Sequence, residues 1–266
     1  MAEFQLIDSI KAEKFIFMLK HINVLSSQIT IYFKKNKIYC QGMDPSQVCL
    51  FEFTIDTIGD NKWIDYYKLD NETETNIGIN CIVLAKILNT YKKDQAITFK
   101  LDSKKNDILG IDFNFINEKA NSIYDKEFQI PLMDINEELL SIPDKEYAVD
   151  IEIQSKIFDK LCGEFALFDE MLKIKCSEKK IEMTASGTDG KMKVNINVDD
   201  LDEFSIEEDL VYQDSFSLTY FNHMCTFHKL SDTMLLNFEN DRPMKLTYCI
   251  ADGFILKFYM GAKVTD

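Results

Sequence analysis

Residues 41–53, QGMDPSQVCLFEF, place a tight turn between two stretches that predict strands. The turn core runs from Met43 to Ser46 and contains the Asp-Pro-Ser combination that favours a reversal of the chain. Turns are usually polar and exposed, yet Met43, Val48 and Leu50 around this one are apolar. Either the turn folds beneath another segment, or its apolar residues form a surface that another protein covers.

Length and composition predict a soluble globular protein. The chain has 266 residues, of which 46% are hydrophobic and 28% charged, and this excludes a disordered or fibrous protein. No apolar run approaches the ~20 residues needed to cross a bilayer, and the first residues lack the pattern of a signal peptide. We therefore expect an intracellular protein with one large domain or two of ordinary size, and no membrane partner.

The charge pattern restricts how the chain could contact nucleic acid. The formal net charge is −15, but net charge does not describe a local surface. Of the 30 basic residues, 29 are Lys and only Arg242 is Arg. Arg reads guanine edges with two hydrogen bonds, whereas Lys acts as a point charge on phosphates. Sequence-specific DNA reading is therefore disfavoured, and sequence-independent phosphate contact requires lysines gathered on one face.

Helix and hairpin patterns alternate along the chain and then repeat, which predicts an α+β protein. The first half contains predicted helices at 9–22 and 79–93, and hairpins at 28–44 and 96–116, the second with a turn at 102–107. The second half contains predicted helices at 155–165 and 215–227, a hairpin with a third strand at 171–198, and closing strands at 233–260. Two copies of one unit are the economical interpretation. We expect an N-terminal domain at 1–131, a connector at 132–147 and a C-terminal domain at 148–266.

Residues with catalytic or metal-binding chemistry form no recognisable constellation in the sequence. The seven cysteines form no C-x-x-C pair and lie mostly in apolar segments, which predicts buried, reduced thiols. The three histidines have no Cys or carboxylate at ligand spacing, and GTDGK (187–191) has the wrong Gly spacing for a phosphate loop. Seven carboxylates between Asp199 and Asp209 could hold Mg²⁺ in a metal-dependent hydrolase, but a contiguous run is usually a solvated loop. We expect no enzyme activity, no cofactor and no metal.

Four segments in order resemble the DNA sliding clamps of the proliferating cell nuclear antigen type. They are QGMDPSQVCLFEF (41–53), PLMDINEELLSIPDKEY (131–147), TASGTDG (184–190) and RPMKLTYCIADGFILKFYMGAK (242–263). The resemblance implies the DNA-clamp fold, with two similar βαβ-rich domains per subunit, helices lining a ring and sheets outside. It further implies a homotrimer that encircles duplex DNA as a polymerase processivity factor. Implied partners are DNA polymerase, ligase, nuclease and clamp loader, which dock through short peptide motifs.

The resemblance assigns the apolar turn to a partner groove beneath the connector. The implied lining residues are Met43, Val48, Leu50, Leu140, Ile142, Pro243, Tyr259, Met260 and Gly261. The groove would accept a partner's helical turn and aromatic side chain. The tail departs from the family ending, because Gly261-Ala262 stands where Ala-Pro is usual, and this leaves partner preference open.

Since the resemblance implies that helices line the hole of the ring, the lysines opposite their apolar stripes are the expected DNA contacts. They are Lys11, Lys14 and Lys20 on the first helix, Lys86 and Lys92 on the second, and Lys156 and Lys160 on the third. The fourth helix carries no Lys until Lys229. Weak, salt-sensitive phosphate contacts suit sliding, because tight contacts would stall it.

The resemblance implies that the ring closes through two edge strands, IYDKEFQI (123–130) and KMKVNINV (191–198), and their charges are complementary. Head-to-tail closure requires both halves of the contact on every subunit. The charged interface residues are Asp125 and Glu127 on one strand and Lys191 and Lys193 on the other. The apolar interface residues are Phe128, Ile130, Val194 and Ile196.

An alternative is a clamp-like protein with another role, either one subunit of a mixed checkpoint ring or a monomeric processivity factor. The thin positive lining favours that alternative, and the groove and matched edges favour the homotrimer. By analogy the location is the nucleus, or a cytoplasmic replication site if the source is viral.

Overall fold

The computed structural model describes residues 2–70, 74–101, 107–116, 124–135, 138–143 and 145–263. Two compact units make up the chain. The first unit comprises Met1–Pro45, Glu52–Leu139 and Ile250–Ile255, and the second comprises Ser46–Phe51, Leu140–Cys249 and Leu256–Asp266. In the described ranges, no helix has the length and apolar character that a membrane span requires.

The first unit takes most of its elements from the first half of the chain. The strands are β1 (Ala2–Leu6), β2 (Gln28–Phe33), β3 (Lys37–Met43), β4 (Cys49–Asp56), β5 (Tyr66–Leu69), β6 (Thr75–Asn80), β7 (Gln95–Leu101), β8 (Ile108–Phe115) and β9 (Lys126–Pro131), and the helices are α1 (Ser9–His21) and α2 (Cys81–Leu88). One sheet has the strand order β5-β1-β7-β8-β9, so β9 is an edge strand. The strands β4, β3, β2 and β6 are also hydrogen-bonded neighbours, in that order.

An aromatic cluster forms the core of the first unit. Phe4 and Phe99 lie opposite each other on β1 and β7, and their rings stack with centroids 4.7 Å apart. Phe15 of α1 meets both rings edge-on, at 5.6 and 5.8 Å. All three side chains are at most 2% exposed. Burial of these three aromatic rings stabilises the packing of α1 against the sheet.

The second unit repeats this arrangement with other residues. Its strands are β10 (Val149–Gln154), β11 (Met171–Ser177), β12 (Lys180–Gly187), β13 (Gly190–Asn197), β14 (Glu203–Ile206), β15 (Tyr212–Ser217), β16 (Thr233–Phe238), β17 (Met244–Ala251) and β18 (Phe254–Met260), and its helices are α3 (Ser155–Phe165) and α4 (Leu218–Cys225). Three strands are divided between the units, because residues 49–51 of β4 belong to the second unit, and residues 250–251 of β17 and 254–255 of β18 belong to the first. One sheet has the order β13-β12-β11-β15, and another series runs β14-β10-β16-β17-β18. Phe158, Phe216 and Phe221 are fully buried between these elements, with neighbouring centroids 5.3 and 6.0 Å apart.

Local capping chemistry explains where the helices of the first unit begin. The Asp8 carboxylate accepts the amides of Ile10 and Lys11, at 2.8 and 3.0 Å. Asn80 caps α2 in the same way by accepting from Ile82 and Val83. An N-cap of this type satisfies amides that otherwise lack a partner, and is worth about 1 kcal/mol.

The structure corrects the bounds of two predicted helices. The second helix ends at Leu88 rather than at residue 93, because Thr90 and Tyr91 donate to Ile87 and Leu88 in tight three-residue turns. The fourth begins at Leu218 rather than at 215, because residues 215–217 belong to β15 and pair with β11. Sheet pairing overrides the helical periodicity there. Most of the predicted turn at 102–107 lies outside the described residues.

The motif TASGTDG forms the β12–β13 hairpin, and its glycines are required by backbone geometry. A Cβ on Gly187 would lie 2.1 Å from the Phe168 carbonyl oxygen, so any side chain would push the two backbones apart. Gly190 has φ +146°, which an L side chain rarely adopts. The motif is therefore a structural hairpin and not a phosphate loop.

The cysteines are mostly buried, as the sequence predicts. All seven are free, six are buried, and Cys249 is exposed. Burial raises the pKa of the Cys81 and Cys176 thiols to about 12, so they stay protonated at neutral pH.

Candidate functional site

Most of the expected groove residues lie in the second unit. Gly261 donates its amide to the Val48 carbonyl at 3.2 Å, which holds the chain after β18 beside the turn that precedes β4. Leu140 in the connector is 50% exposed, and Val48, Ile142 and Tyr259 are partly exposed. The second unit thus carries an apolar surface on its connector and on both chain segments that this hydrogen bond joins.

A pocket of about 470 Å³ extends this surface. Its lining residues are Asp214, Asp241, Arg242, Pro243, Gly261, Ala262 and Lys263. Among these, only Pro243 and Gly261 were predicted from the sequence as groove residues. The motif around Arg242 and the unusual tail could have indicated most of the other lining residues from the sequence. Neither feature reveals that β15 contributes Asp214.

Arg242 is held in place by two contacts. Its Nη1 donates to the Glu146 carbonyl at 3.0 Å, and its guanidinium carbon lies 4.8 Å from the centre of the Tyr147 ring. The Lys245 ammonium lies 4.6 Å from the same ring. Partial burial raises the pKa of the Tyr147 hydroxyl, and the positive charge of Arg242 offsets part of that rise. The Arg242–Tyr147 stack therefore forms a fixed wall beside the pocket.

Three of the expected groove residues differ from the others in burial or in the unit to which they belong. Met260 is fully buried and Leu50 is 8% exposed, so their side chains belong mainly to the core. The cause is strand alternation, since Tyr259 points outward on β18 and Met260 therefore points inward. Met43 is partly exposed at the end of β3, and it belongs to the first unit.

Of the lysines expected to contact DNA, two on α1 are already engaged within the first unit. The Lys11 ammonium lies 3.2 Å from the Asp65 carboxylate and 5.6 Å from the centre of the Trp63 ring. The Lys14 ammonium donates to the Ile250 carbonyl at 3.3 Å. Each of these two lysines would have to release its contact, at least in part, before it could reach a phosphate.

The Asp65 carboxylate anchors the start of α1. Partial burial works to raise the pKa of Asp65, but the amides of Ile7 and Asp8 and the Lys11 ammonium together lower it below its usual range. Asp65 therefore stays charged and fixes Lys11 at the helix start.

The remaining helix lysines differ in their surroundings. Lys86 and Lys156 are exposed on α2 and α3, and Lys20 is partly exposed near the end of α1. Lys160 lies 3.7 Å from the Glu164 carboxylate, one turn along α3. Lys92 was predicted to lie on the second helix, but it lies beyond the end of α2. Its ammonium is 5.7 Å from the centre of the Tyr124 ring.

The first expected interface strand is the exposed edge of the five-stranded sheet. The described part begins at residue 124, because Ile123 lies outside the described residues. Asp125 and Glu127 are exposed, and Phe128 is partly exposed. Ile130 is only 5% exposed and packs into its own unit, which corrects its expected role between subunits.

The second expected interface strand, β13, is the exposed edge of the four-stranded sheet. Lys191 and Lys193 are exposed on one face, and Val194 and Ile196 are partly exposed on the other. Val194 and Ile196 line an apolar pocket of about 290 Å³. The other lining residues are Ile153, Gln154, Ile157, Leu161, Asp200, Leu201 and Asp202. The edge therefore offers an unpaired backbone and an apolar pocket side by side.

The acidic run adopts no metal-binding geometry within the described part of the chain. Asp199 and Asp200 lie in a short 3₁₀ helix after β13, and Glu203 begins β14. Among the described residues, no group of three or more His, Cys, Asp or Glu side chains is placed to hold a metal ion.

Comparison with known proteins assigns the family. The N-terminal domain of proliferating cell nuclear antigen matches residues 8–139, and the C-terminal domain matches residues 141–263. The chain belongs to the proliferating cell nuclear antigen family. It is a sliding clamp of the DNA-clamp α+β fold, a class of processivity factors in DNA replication and repair. A relative in this family, proliferating cell nuclear antigen 2 of Drosophila melanogaster, is 25% identical over 266 residues, which cover 100% of this chain and 99% of the relative.

Proposed function

We propose that three copies of this chain close head to tail into a ring around duplex DNA and slide along it. The ring confers processivity on a polymerase and tethers other replication and repair enzymes. The clamp itself catalyses no reaction and uses no cofactor or metal. By analogy with the family, it acts in the nucleus, or at a cytoplasmic replication site if the source is viral.

The observation that carries the ring is the pair of edge strands with opposite charge. β9 ends one sheet and exposes Asp125 and Glu127 beside it, while β13 ends another and exposes Lys191 and Lys193. An unpaired edge invites pairing with another chain, and pairing of β9 with β13 of the next copy would satisfy both edges. Each copy carries both edges, so the contact can repeat until the ring closes.

The apolar pocket beside β13 supports the same contact. Phe128 is partly exposed on β9, and the pocket exposes Val194 and Ile196 together with Ile157, which is 48% exposed. In the proposed ring, Phe128 of one copy would bury part of this surface on the next. Charge pairs would then set the register, and apolar burial would supply much of the affinity.

The proposed DNA contacts come from lysines on the helices. Lys20, Lys86 and Lys156 are the most accessible to a phosphate. Lys11 and Lys160 contact carboxylates, and Lys14 donates to a carbonyl. Lys92 lies near an aromatic ring. Few free lysines per copy give weak contact, and threefold repetition compensates for this. Such contact neutralises phosphates without reading bases, so it permits sliding.

The proposed partner site is the apolar surface of the connector and tail. Leu140, Ile142, Pro243 and Tyr259 are exposed or partly exposed there, and the pocket beside Arg242 adds polar groups. A surface of this kind suits a short helical turn with an aromatic plug, which is the docking mode proposed for polymerase, ligase, nuclease and clamp loader.

Retention on end-blocked DNA tests the ring. The protein is mixed with linear duplex DNA, the ends are then blocked with bound streptavidin, and the complex is washed with high salt. A sliding ring stays on blocked DNA and leaves unblocked DNA. Equal retention on both DNAs, or retention on neither, would contradict the proposal.

Binding of a short peptide with a glutamine and two aromatic residues tests the groove. Leu140→Ser should weaken binding about tenfold, which corresponds to about 1.4 kcal/mol, because Leu140 would lose apolar contact with the aromatic side chain. Leu139→Ser is the matched control, since Leu139 is also exposed, at 41%, and belongs to the first unit. Equal losses in the two variants would contradict the groove assignment.

A further inference from the structure

The four-stranded sheet of the second unit has two faces of opposite character. On one face, Leu172, Ile174 and Ile181 are fully buried. Strand alternation sends the intervening side chains to the other face. That face carries Lys173, Lys175 and Ser177 of β11, Lys180, Glu182, Thr184 and Ser186 of β12, Lys191, Lys193, Asn195 and Asn197 of β13, and Gln213 and Ser215 of β15. We call this surface the lysine face.

The lysine face is strongly positive although the chain is acidic. It holds five lysines and one carboxylate, in a protein whose net charge is −15. The single carboxylate, Glu182, lies 2.5 Å from the Lys180 ammonium and 3.0 Å from that of Lys193. Within the described residues, Lys173 and Lys175 form no salt bridge, so their charges are available to a ligand.

The composition of the lysine face distinguishes between classes of partner. At Lys173, Lys175 and Ser177 of β11, and at the positions paired with them on the other three strands, each side chain is charged, a hydroxyl or an amide. Met171, partly exposed at the start of β11, adds one apolar side chain at the end of this face. Protein interfaces need an apolar or aromatic core, whereas nucleic-acid interfaces are polar and positive. The same positions include no ring on which an unpaired base could stack, which disfavours a single strand.

The lysine face presents ammonium and hydroxyl donors close together. Lys173 and Lys175 are two residues apart on one strand, so their Cα atoms are separated by about 6.7 Å and both ammonium groups can reach the same stretch of a ligand. Across the sheet, the row Ser215, Lys173, Thr184 and Lys193 alternates hydroxyl and ammonium donors, and both groups bind phosphate oxygens.

We propose that the lysine face binds the phosphate backbone of duplex DNA, at a site separate from the helices that contact DNA in the proposed ring. Lys supplies point charges without bidentate base reading, so this binding is independent of sequence. In the proposed ring, Lys191 and Lys193 meet Asp125 and Glu127 of the next copy. Lys173 and Lys175 therefore carry the DNA contact, which does not depend on whether the ring forms.

A covalently closed duplex minicircle is the probe, because it cannot thread through a closed ring. Its affinity is measured by fluorescence anisotropy between 50 and 200 mM salt. The unmodified protein should bind with a dissociation constant of about 10⁻⁴ to 10⁻⁶ M. Lys173→Gln with Lys175→Gln should weaken binding about tenfold at the lowest salt. The same change should reduce the slope of log affinity against log salt by about 1.8, for two lost phosphate contacts.

Three comparisons keep the test specific. Lys62→Gln with Lys68→Gln removes two positive charges from the first unit and should leave affinity unchanged. Equal loss in that control would show a net-charge effect and overturn the proposal. Loss with Lys20→Gln and Lys86→Gln instead would place the binding on the helices, and displacement of the minicircle by equimolar polyglutamate would identify an acidic peptide as the ligand. An unchanged unfolding midpoint confirms that each variant is folded.

Discussion

The sheets that contain β7 and β12 have similar cores and different polar faces. In the first unit, the polar face places Glu3, Asp112 and Glu127 among its lysines, and the Lys100 ammonium lies 2.6 Å from the Asp112 carboxylate. In the second unit, five lysines share the face with Glu182 alone. One sheet is therefore close to neutral and the other is strongly positive.

This difference shows which positions the fold constrains. Both units bury three phenylalanines that approach one another edge-on or stacked, and strand alternation decides which residues these are. The exposed alternate positions make no comparable demand on residue type. Charge at those positions is free to differ between the units and to serve binding.

The largest expected effect comes from the cores, where the units should behave alike. Phe99→Ala and Phe216→Ala should each lower the free energy of unfolding by about 3–5 kcal/mol, because each leaves a cavity among packed rings. Denaturant unfolding of the two variants measures this. Phe17→Ala, on a partly exposed position of α1, serves as the control and should cost less. A large loss in only one unit would break the equivalence of the cores.

The next largest effect concerns the edges, where the units should be complementary. Lys191→Glu with Lys193→Glu should leave the subunit folded but separate the copies, because like charges would face each other across the contact at a cost of about 3 kcal/mol. Sedimentation velocity reports the change in mass. Adding Asp125→Lys and Glu127→Lys should restore the trimer.

Lys173→Glu with Lys175→Glu is the matched control for this prediction. It makes the same charge change on the same face, away from the edge strand, and should leave the trimer intact. If it separates the copies as well, the edge-specific pairing is wrong.

A smaller effect tests the hairpin that joins β12 to β13. Gly187→Ala should destabilise the second unit by about 2 kcal/mol, since its Cβ would lie 2.1 Å from the Phe168 carbonyl oxygen. Thermal unfolding of this variant is compared with that of Thr188→Ala, an exposed change in the same hairpin. A neutral Gly187→Ala would show that the two backbone segments separate easily.

The smallest effect is a titration on the lysine face. Hydrogen bonds from Lys180 and then Lys193 lower the pKa of Glu182 to about 2. A carboxylate with a depressed pKa stabilises the fold above its ordinary pKa, and this contribution is lost as the pH falls through about 2. NMR titration should place Glu182 near that value, and should return it to the ordinary range in Lys180→Gln with Lys193→Gln. An ordinary pKa in the unmodified protein would mean that these lysines point elsewhere in solution.

Periodicity predicted elements well where local and tertiary preferences agree. The predicted third helix, residues 155–165, coincides with α3, and the first differs from α1 by one residue. The fourth helix was predicted too early, because Phe216 pairs within β15 although its spacing also fits a helix. Long-range pairing of this kind leaves no signal in local periodicity.

The sequence predicted which segments form the candidate site better than it predicted which of their side chains are exposed. The resemblance located the turn, the connector and the tail, but strand alternation turns Met260 inward and Ile130 into its own unit. The contact between Lys11 and Asp65 joins residues 54 positions apart, so no local pattern reveals that this lysine is engaged. The lysine face likewise depends on strand register, which aligns Lys173 with Thr184 and Lys193.

Sedimentation equilibrium at several micromolar concentrations tests the proposed ring most directly. A closed trimer predicts one species at three times the 31.0 kDa subunit mass, unchanged across the concentration range. A single species at the subunit mass throughout that range would contradict the ring and the function proposed from it.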